Sequence, residues 1–230
     1  MEKLAYEAYS GKQKNLRREI ISESGTLDRK RFLLSASPEW KDRIRKLQDI
    51  VYELKKEYPE IISLSLYGSL TKGYANEESD IDAYLNIDED VANKNLRTQS
   101  RFFYEDIARK KIKDVLGLSD GQVRHVHSEF WAESKIVKDA SHGFASWQIA
   151  QLFLLSVGKD INKYRKVVFN ESEKLGADGE TYWQSIMDSL AFLENSGLSK
   201  ELIQKRGFLY PKTLTEGRKY FLQEAKDSIS

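Results

Sequence analysis

Tyr67-Gly68-Ser69-Leu70-Thr71-Lys72-Gly73-Tyr74-Ala75-Asn76-Glu77-Glu78-Ser79-Asp80-Ile81-Asp82 is the stretch on which the fold turns. Upstream of it, Glu60 to Tyr67 (EIISLSLY) alternates and is β-branched, which predicts a strand stopped by Gly68-Ser69. Downstream, Asp80 to Ile87 (DIDAYLNI) predicts a second strand, with the polar run TKGYANEES as the loop between them. Residues two apart in a strand project to one face, so Asp80 and Asp82 aim together while Ile81 and Ala83 turn to the core. Two carboxylates so placed repel each other unless a cation lies between them, and hard oxygen donors suit a divalent metal. Gly68 allows the backbone to approach a phosphate closely. The Ser69 hydroxyl and the amides after it can donate to its oxygens. Lys72 adds positive charge beside them. If the two strands are neighbours, phosphate turn and metal carboxylates meet at one end of a sheet.

Working outward, Ser37-Pro38-Glu39 has the signature of a helix start, with Ser at the N-cap and Pro at the first helical position. That helix carries Trp40, Ile44, Leu47, Ile50, Val51 and Leu54 on one face and ends before Pro59. The residues before it also have helical spacing, with a break near Ser24. Arg97 to Leu116 predicts another helix, with Phe102, Phe103, Ile107, Ile112 and Val115 as its apolar members. Ser119-Asp120-Gly121 is a turn signal, and Gln122 to Ser128 (QVRHVHS) predicts a third strand. Beyond about Trp131 the periodicity is helical, broken at Gly158, Gly176, Gly197 and Gly207. The class is α/β (α+β): a small mixed sheet with flanking helices, then an all-helical C-terminal domain. The boundary is placed between residues 1–130 and 131–230.

Bulk composition narrows the function classes. The chain has 230 residues, 40% hydrophobic and 32% charged, enough for a sizeable core. Its 37 Lys and Arg nearly cancel its 36 Asp and Glu, which argues against a dedicated nucleic-acid binder. Without Cys, disulfides, zinc–thiolate sites and thiol nucleophiles are excluded. The charged N-terminus has no signal-peptide core, and no apolar run approaches the roughly 20 residues of a membrane helix. A soluble, cytoplasmic protein with no membrane partner is expected.

A lone Asp-x-Asp is usually a solvated turn, and a lone Gly-Ser is usually a loop. The combination is more specific. An apolar strand, Gly-Ser, about ten loop residues and then Asp-x-Asp among apolar residues resembles the signature of nucleotidyltransferases of the DNA polymerase beta superfamily. The Ser79-Asp80-Ile81-Asp82 form resembles antibiotic-type and minimal members. The signature covers residues 60–88, and the helix and third strand extend it to about residue 130. The resemblance implies triphosphate binding at Gly68 and Ser69, and catalytic metal binding at Asp80 and Asp82. It implies Mg²⁺ or Mn²⁺ as cofactor and an NTP, ATP foremost, as substrate. The acceptor that the resemblance implies is a small hydroxylated molecule such as an aminoglycoside or lincosamide, or a macromolecule, a protein or a tRNA end; the sequence does not name it. The alternative is a nucleotide-binding regulator without catalysis.

Members of that superfamily usually carry a third carboxylate on a later strand. Here Val123-Arg124-His125-Val126-His127 has no acid, and alternation puts His125 and His127 on one face. Three readings stay open: Glu129 or Glu133 reaches back, a histidine takes the role, or activity is lost. His142 is read as a cap or turn residue. Trp147, Phe153, Tyr164, Trp183 and Phe192 are read as core aromatics of a helix bundle built on SWQIAQLFLL and IMDSLAFL. Lys159, Lys163, Arg165 and Lys166 form a basic cluster, facing either solvent or a polyanion.

Overall fold

The computed structural model describes residues 38–72, 77–94, 100–142, 147–158 and 160–195. Helix α1 (Pro38–Glu57) leads into strand β1 (Ile61–Tyr67), one helical turn α2 (Gly68–Lys72) and strand β2 (Asp82–Asp88). Helices α3 (Glu89–Lys94), α4 (Arg101–Leu116) and α5 (Asp120–Val123) connect β2 to strand β3 (Val126–Trp131). Helices α6 (Glu133–Ser141) and α7 (Trp147–Gln151) precede strand β4 (Leu155–Val157), and α8 (Ile161–Lys174) and α9 (Ala177–Asn195) follow it. The helical spacing expected before Ser37, and the breaks at Gly197 and Gly207, lie outside the described residues.

The four strands form one mixed sheet in the order β3-β2-β1-β4. β2 and β4 run antiparallel to β1, and β3 runs parallel to β2. A parallel neighbour needs a long crossover, which α3 to α5 provide. Alternation then sorts the side chains. Leu64, Leu66, Ala83, Leu85, Ile87 and Val126 share one face and are all buried. α1 and α4 pack on the sheet with Leu47, Ile50, Val51, Leu54, Tyr104, Ala108 and Ile112 buried, as the α1 stripe predicts. The opposite face is polar: Ser63, Ser65, Asp82, Tyr84, Asn86, His127 and Glu129.

At the middle of that polar face, fully buried Asn86 donates to Ser63 Oγ (2.9 Å) and Ser65 Oγ (2.7 Å). It accepts from Trp131 Nε1 (2.8 Å). Burying these groups is tolerable because each finds a partner. Among the described residues, the outer edge of β3 is satisfied by side chains and not by a further strand. Arg109 Nε donates to Val126 O (2.9 Å), Ser128 N–H donates to Glu105 Oε1 (3.1 Å), and Lys135 Nζ donates to Phe130 O (2.8 Å). An edge so covered is a poor template for another chain.

Several expectations are corrected. The third strand is Val126–Trp131, because Ser119 and Gln122 form a capping box that turns residues 120–123 into a helical turn. Asp80 precedes β2 and does not begin it. The helical reading beyond Trp131 fails at Leu155–Val157, where Leu64, Leu66 and Ser65 of β1 offer a free edge. Gly158 follows at φ 115°, so close to β1 that a Cβ would stand 2.8 Å from Ile62 O. On α4 the buried line is Tyr104, Ala108 and Ile112, whereas Phe102 and Val115 are exposed. Trp147 is also exposed, while Phe153, Tyr164 and Trp183 are core. The side chains of Trp40 and Phe192 lie outside the described residues.

Candidate active site

Two backbone bonds assemble the site. Ile81 N–H donates to Gln122 O (2.7 Å), and Ala83 N–H donates to His125 O (3.1 Å). They join the acid-bearing segment to the turn ahead of β3. Ile81 and Ala83 are fully buried, which leaves Asp80 and Asp82 directed to the other side. The pairing Ala83 with Val126 continues back by one residue to set His125 level with Asp82.

The result is a cluster of Asp80, Asp82 and His125 whose candidate ligand atoms all lie within 4.8 Å of one another. His125 Nε2 stands 4.0 Å from Asp80 Oδ2, and both side chains are 40% exposed. In the same structure Arg124 Nε donates to His125 Nε2 (2.9 Å), so a positive group already lies at that lone pair. Two carboxylates and an imidazole are a donor set that suits a divalent cation.

Gly68 and Ser69 meet this cluster from β1. Tyr67 pairs with Asp82 across the sheet, so the turn that follows Tyr67 lies beside the acids. Gly68 adopts φ 72°, in the left-handed region, and an added Cβ would stand 2.7 Å from Asp82 Cγ. Ser69 Oγ is buried with no hydrogen-bond partner among the described residues. A buried donor of that kind, at the start of a helical turn, fits a bound anion. Lys72 closes α2, and its side chain lies outside the described residues, as do Gly73 to Asn76.

Two residues given no site role in the sequence reading hold the returning limb of the loop. Arg43 donates to Ser79 O (3.2 Å) and Glu77 O (3.0 Å), and Gln122 Nε2 donates to Glu77 O (2.9 Å). Arg43 lies 36 positions before Ser79, and no local pattern announces such a contact. Across the polar face, Tyr67 and Tyr84 stack with centroids 5.2 Å apart, and His127 lies 5.9 Å beyond Tyr84. Burial pushes the Tyr67 phenol well above its ordinary range, helped by Tyr84 and the two aspartates, so it stays neutral. Burial holds the His127 imidazole below its ordinary value despite nearby Glu105.

The other candidates stand elsewhere. Glu129 faces Asn86, four residues beyond His125, or roughly 13 Å along the strand. It is buried and engaged by Lys135 (2.6 Å), with Gln148 at 3.4 Å and Arg101 at 3.9 Å. Glu133 begins α6 and lies 3.9 Å from Lys163. Of the acids and histidines proposed for the third position, His125 is the one brought to the aspartates. His142 caps α6, its Nδ1 2.6 Å from Lys138 O. The basic cluster divides: Arg165 is buried and donates to Leu152 O and Leu154 O, and Lys163 lies 3.7 Å from Asp88. Lys159 lies outside the described residues.

Residues 44–141 match the family model described as a nucleotidyltransferase domain. The matched span includes β1 to β3, the Gly68-Ser69 turn and all three members of the cluster; β4 and helices α7 to α9 lie beyond it. No curated protein matches the chain. Among the described residues no helix is long and apolar enough to cross a membrane.

Proposed function

We propose that this chain, whose residues 44–141 match the model of a nucleotidyltransferase domain, moves a nucleoside monophosphate from an NTP to an acceptor hydroxyl. The observation that carries this reading is the convergence of Asp80, Asp82 and the Gly68-Ser69 turn at one end of the sheet. ATP is the first candidate donor, and the cytoplasm, where NTPs are plentiful, is the expected compartment.

Gly68 and Ser69 receive the triphosphate. The Ser69 hydroxyl donates to a phosphate oxygen, and the absent Cβ at Gly68 leaves room for the Asp82 carboxylate to stand against the turn. Asp80 and Asp82 hold the divalent cation, Mg²⁺ or Mn²⁺, which when bound supplies charge neutralisation and lowers the pKa of the attacking hydroxyl. The acceptor oxygen forms a bond to the α-phosphorus as the bond from that phosphorus to the bridging oxygen breaks. Pyrophosphate leaves in line, and the hydroxyl proton passes to solvent, which reaches Asp80 and His125. Arg43 and Gln122 keep Glu77 and Ser79 in place and so position Asp80. The acceptor hydroxyl belongs to a small molecule, an aminoglycoside or lincosamide being the model, or to a protein or tRNA end.

The test is incubation with each α-labelled NTP and Mg²⁺ or Mn²⁺, alone and with aminoglycosides, total tRNA or protein lysate. Label transferred to one acceptor class, and lost in Asp82→Asn, supports the reading. Label transferred equally by Asp82→Asn refutes the assigned site. A second reading, a nucleotide-binding regulator without turnover, rests on the imidazole at the position opposite Asp82, where a third carboxylate is usual. It requires metal-dependent NTP binding with no labelled acceptor.

A further inference from the structure

We propose that His125 is the third ligand of the cation held by Asp80 and Asp82, and that its nitrogen makes the site select Mn²⁺ over Mg²⁺. The inference rests on the carboxylate pair being a metal site. It adds the identity of the third donor and the metal preference that follows.

Geometry brings the imidazole there. The Ala83 N–H to His125 O bond fixes the backbone of His125 against β2, and the parallel register from Ala83 with Val126 onward sets its level. The candidate atoms of all three side chains lie within 4.8 Å of one another, a separation that small movements close around one ion. Glu129 is committed to Lys135, and Glu133 begins another helix, so neither supplies the third donor. The lone pair of His125 Nε2 is oriented outward enough to accept from Arg124 Nε. A cation bound through that nitrogen takes the place of the Arg124 N–H.

Chemistry then sets the preference. Mg²⁺ favours oxygen ligands in near-ideal octahedral geometry and gives up water reluctantly, whereas imidazole suits Zn, Cu, Fe and Ni best, and Mn²⁺, the first member of that transition series, shares the carboxylate preference of Mg²⁺. Mn²⁺ accepts both carboxylate and imidazole. Replacing one of three carboxylates by an imidazole costs Mg²⁺ more than Mn²⁺, so two carboxylates with one imidazole favour Mn²⁺ further than three carboxylates would.

The experiment measures metal binding, not turnover. Mn²⁺ and Mg²⁺ are titrated calorimetrically into the full chain and into His125→Gln, His125→Asp and Asp82→Asn, with circular dichroism confirming that each variant is folded. Pulsed electron paramagnetic resonance of the Mn²⁺ complex reads nitrogen coupling directly. The expected results are tighter Mn²⁺ than Mg²⁺ binding and a nitrogen coupling that disappears in His125→Gln. His125→Gln should weaken Mn²⁺ at least about tenfold, the loss that removing even a supporting contact brings at metal sites. His125→Asp should tighten Mg²⁺ and narrow the difference between the two ions. Asp82-dependent binding without nitrogen coupling, and with His125→Gln unchanged, overturns this inference and leaves the carboxylate site standing. Binding that survives Asp82→Asn undiminished overturns the carboxylate site itself.

Discussion

The Asp82 carboxylate fills the space in which residue 68 would carry a Cβ: an added Cβ would lie 2.7 Å from Asp82 Cγ and 2.9 Å from Asp82 Cβ. Gly68 is thus fixed twice over, by its φ of 72° and by this contact. The backbone turn that ends β1 and the acid that opens β2 occupy one another's surroundings, so a change at either is felt at both.

Gly68→Ala is accordingly expected to cost more than a substitution in an ordinary turn. The left-handed conformation alone costs a non-glycine residue about 1–2 kcal/mol, and relief of the clash displaces the Asp82 carboxylate. Urea unfolding should register a loss of at least that size, and calorimetry should register weaker metal binding. Wild-type stability and metal affinity in Gly68→Ala would contradict the described contact.

Ser69→Ala separates binding from folding. The Ser69 hydroxyl is buried without a partner among the described residues, so deleting it should leave the urea midpoint unchanged or slightly raised. A hydrogen bond to a charged phosphate is worth about 1.5–3 kcal/mol, so triphosphate affinity should fall roughly tenfold or more. Unchanged NTP affinity, measured by calorimetry with a non-hydrolysable analogue, would remove Ser69 from the phosphate site.

Asn86→Ala tests the buried polar face. It removes the acceptor of Trp131 Nε1–H and the donor to Ser63 and Ser65. Each buried polar group left unpaired costs about 1–3 kcal/mol. A clear loss of stability by urea unfolding is the expected result, and a neutral effect would mean that the network contributes little.

Glu105→Ala tests how the edge of β3 is closed. Glu105 accepts from Ser128 N–H, from Arg101 Nε (3.2 Å) and from Arg109 Nη2 (3.0 Å), and its own side chain is buried. Hydrogen bonds to a charged group contribute about 1.5–3 kcal/mol, so the variant should lose on the order of 2 kcal/mol. Because the Ser128 N–H on the β3 edge then loses its partner, the variant should also aggregate sooner on heating, by light scattering.

Much of this arrangement was legible from local pattern. Ile81 and Ala83 alternate with the two aspartates and are the buried partners that alternation requires, and Ile44 to Leu54 mark the core side of α1. What escaped was decided by contacts distant in sequence. Leu155–Val157 is a three-residue strand inside an apolar run, too short for a period of two to be distinguished from helix. Its place beside Leu64–Leu66 makes a segment from beyond Trp131 part of the sheet. Gln122 and Val123 look strand-like alone, but the capping box at Ser119 won locally. Arg165 reads as one of a surface basic group until Leu152 O and Leu154 O are seen to accept from it. The role of His125 was one of three open readings, because strand register, which composition cannot supply, decides which of Glu129, Glu133 and His125 meets the aspartates.

The most direct test of the central claim compares α-labelled with γ-labelled NTP in parallel reactions containing divalent metal and the acceptor panel. Nucleotidyl transfer at Asp80 and Asp82 predicts that α-label alone joins the acceptor, that γ-label leaves as pyrophosphate, and that Asp80→Asn and Asp82→Asn each abolish both signals. Transfer of γ-label to the acceptor, or α-label transfer that persists in both variants, would contradict it.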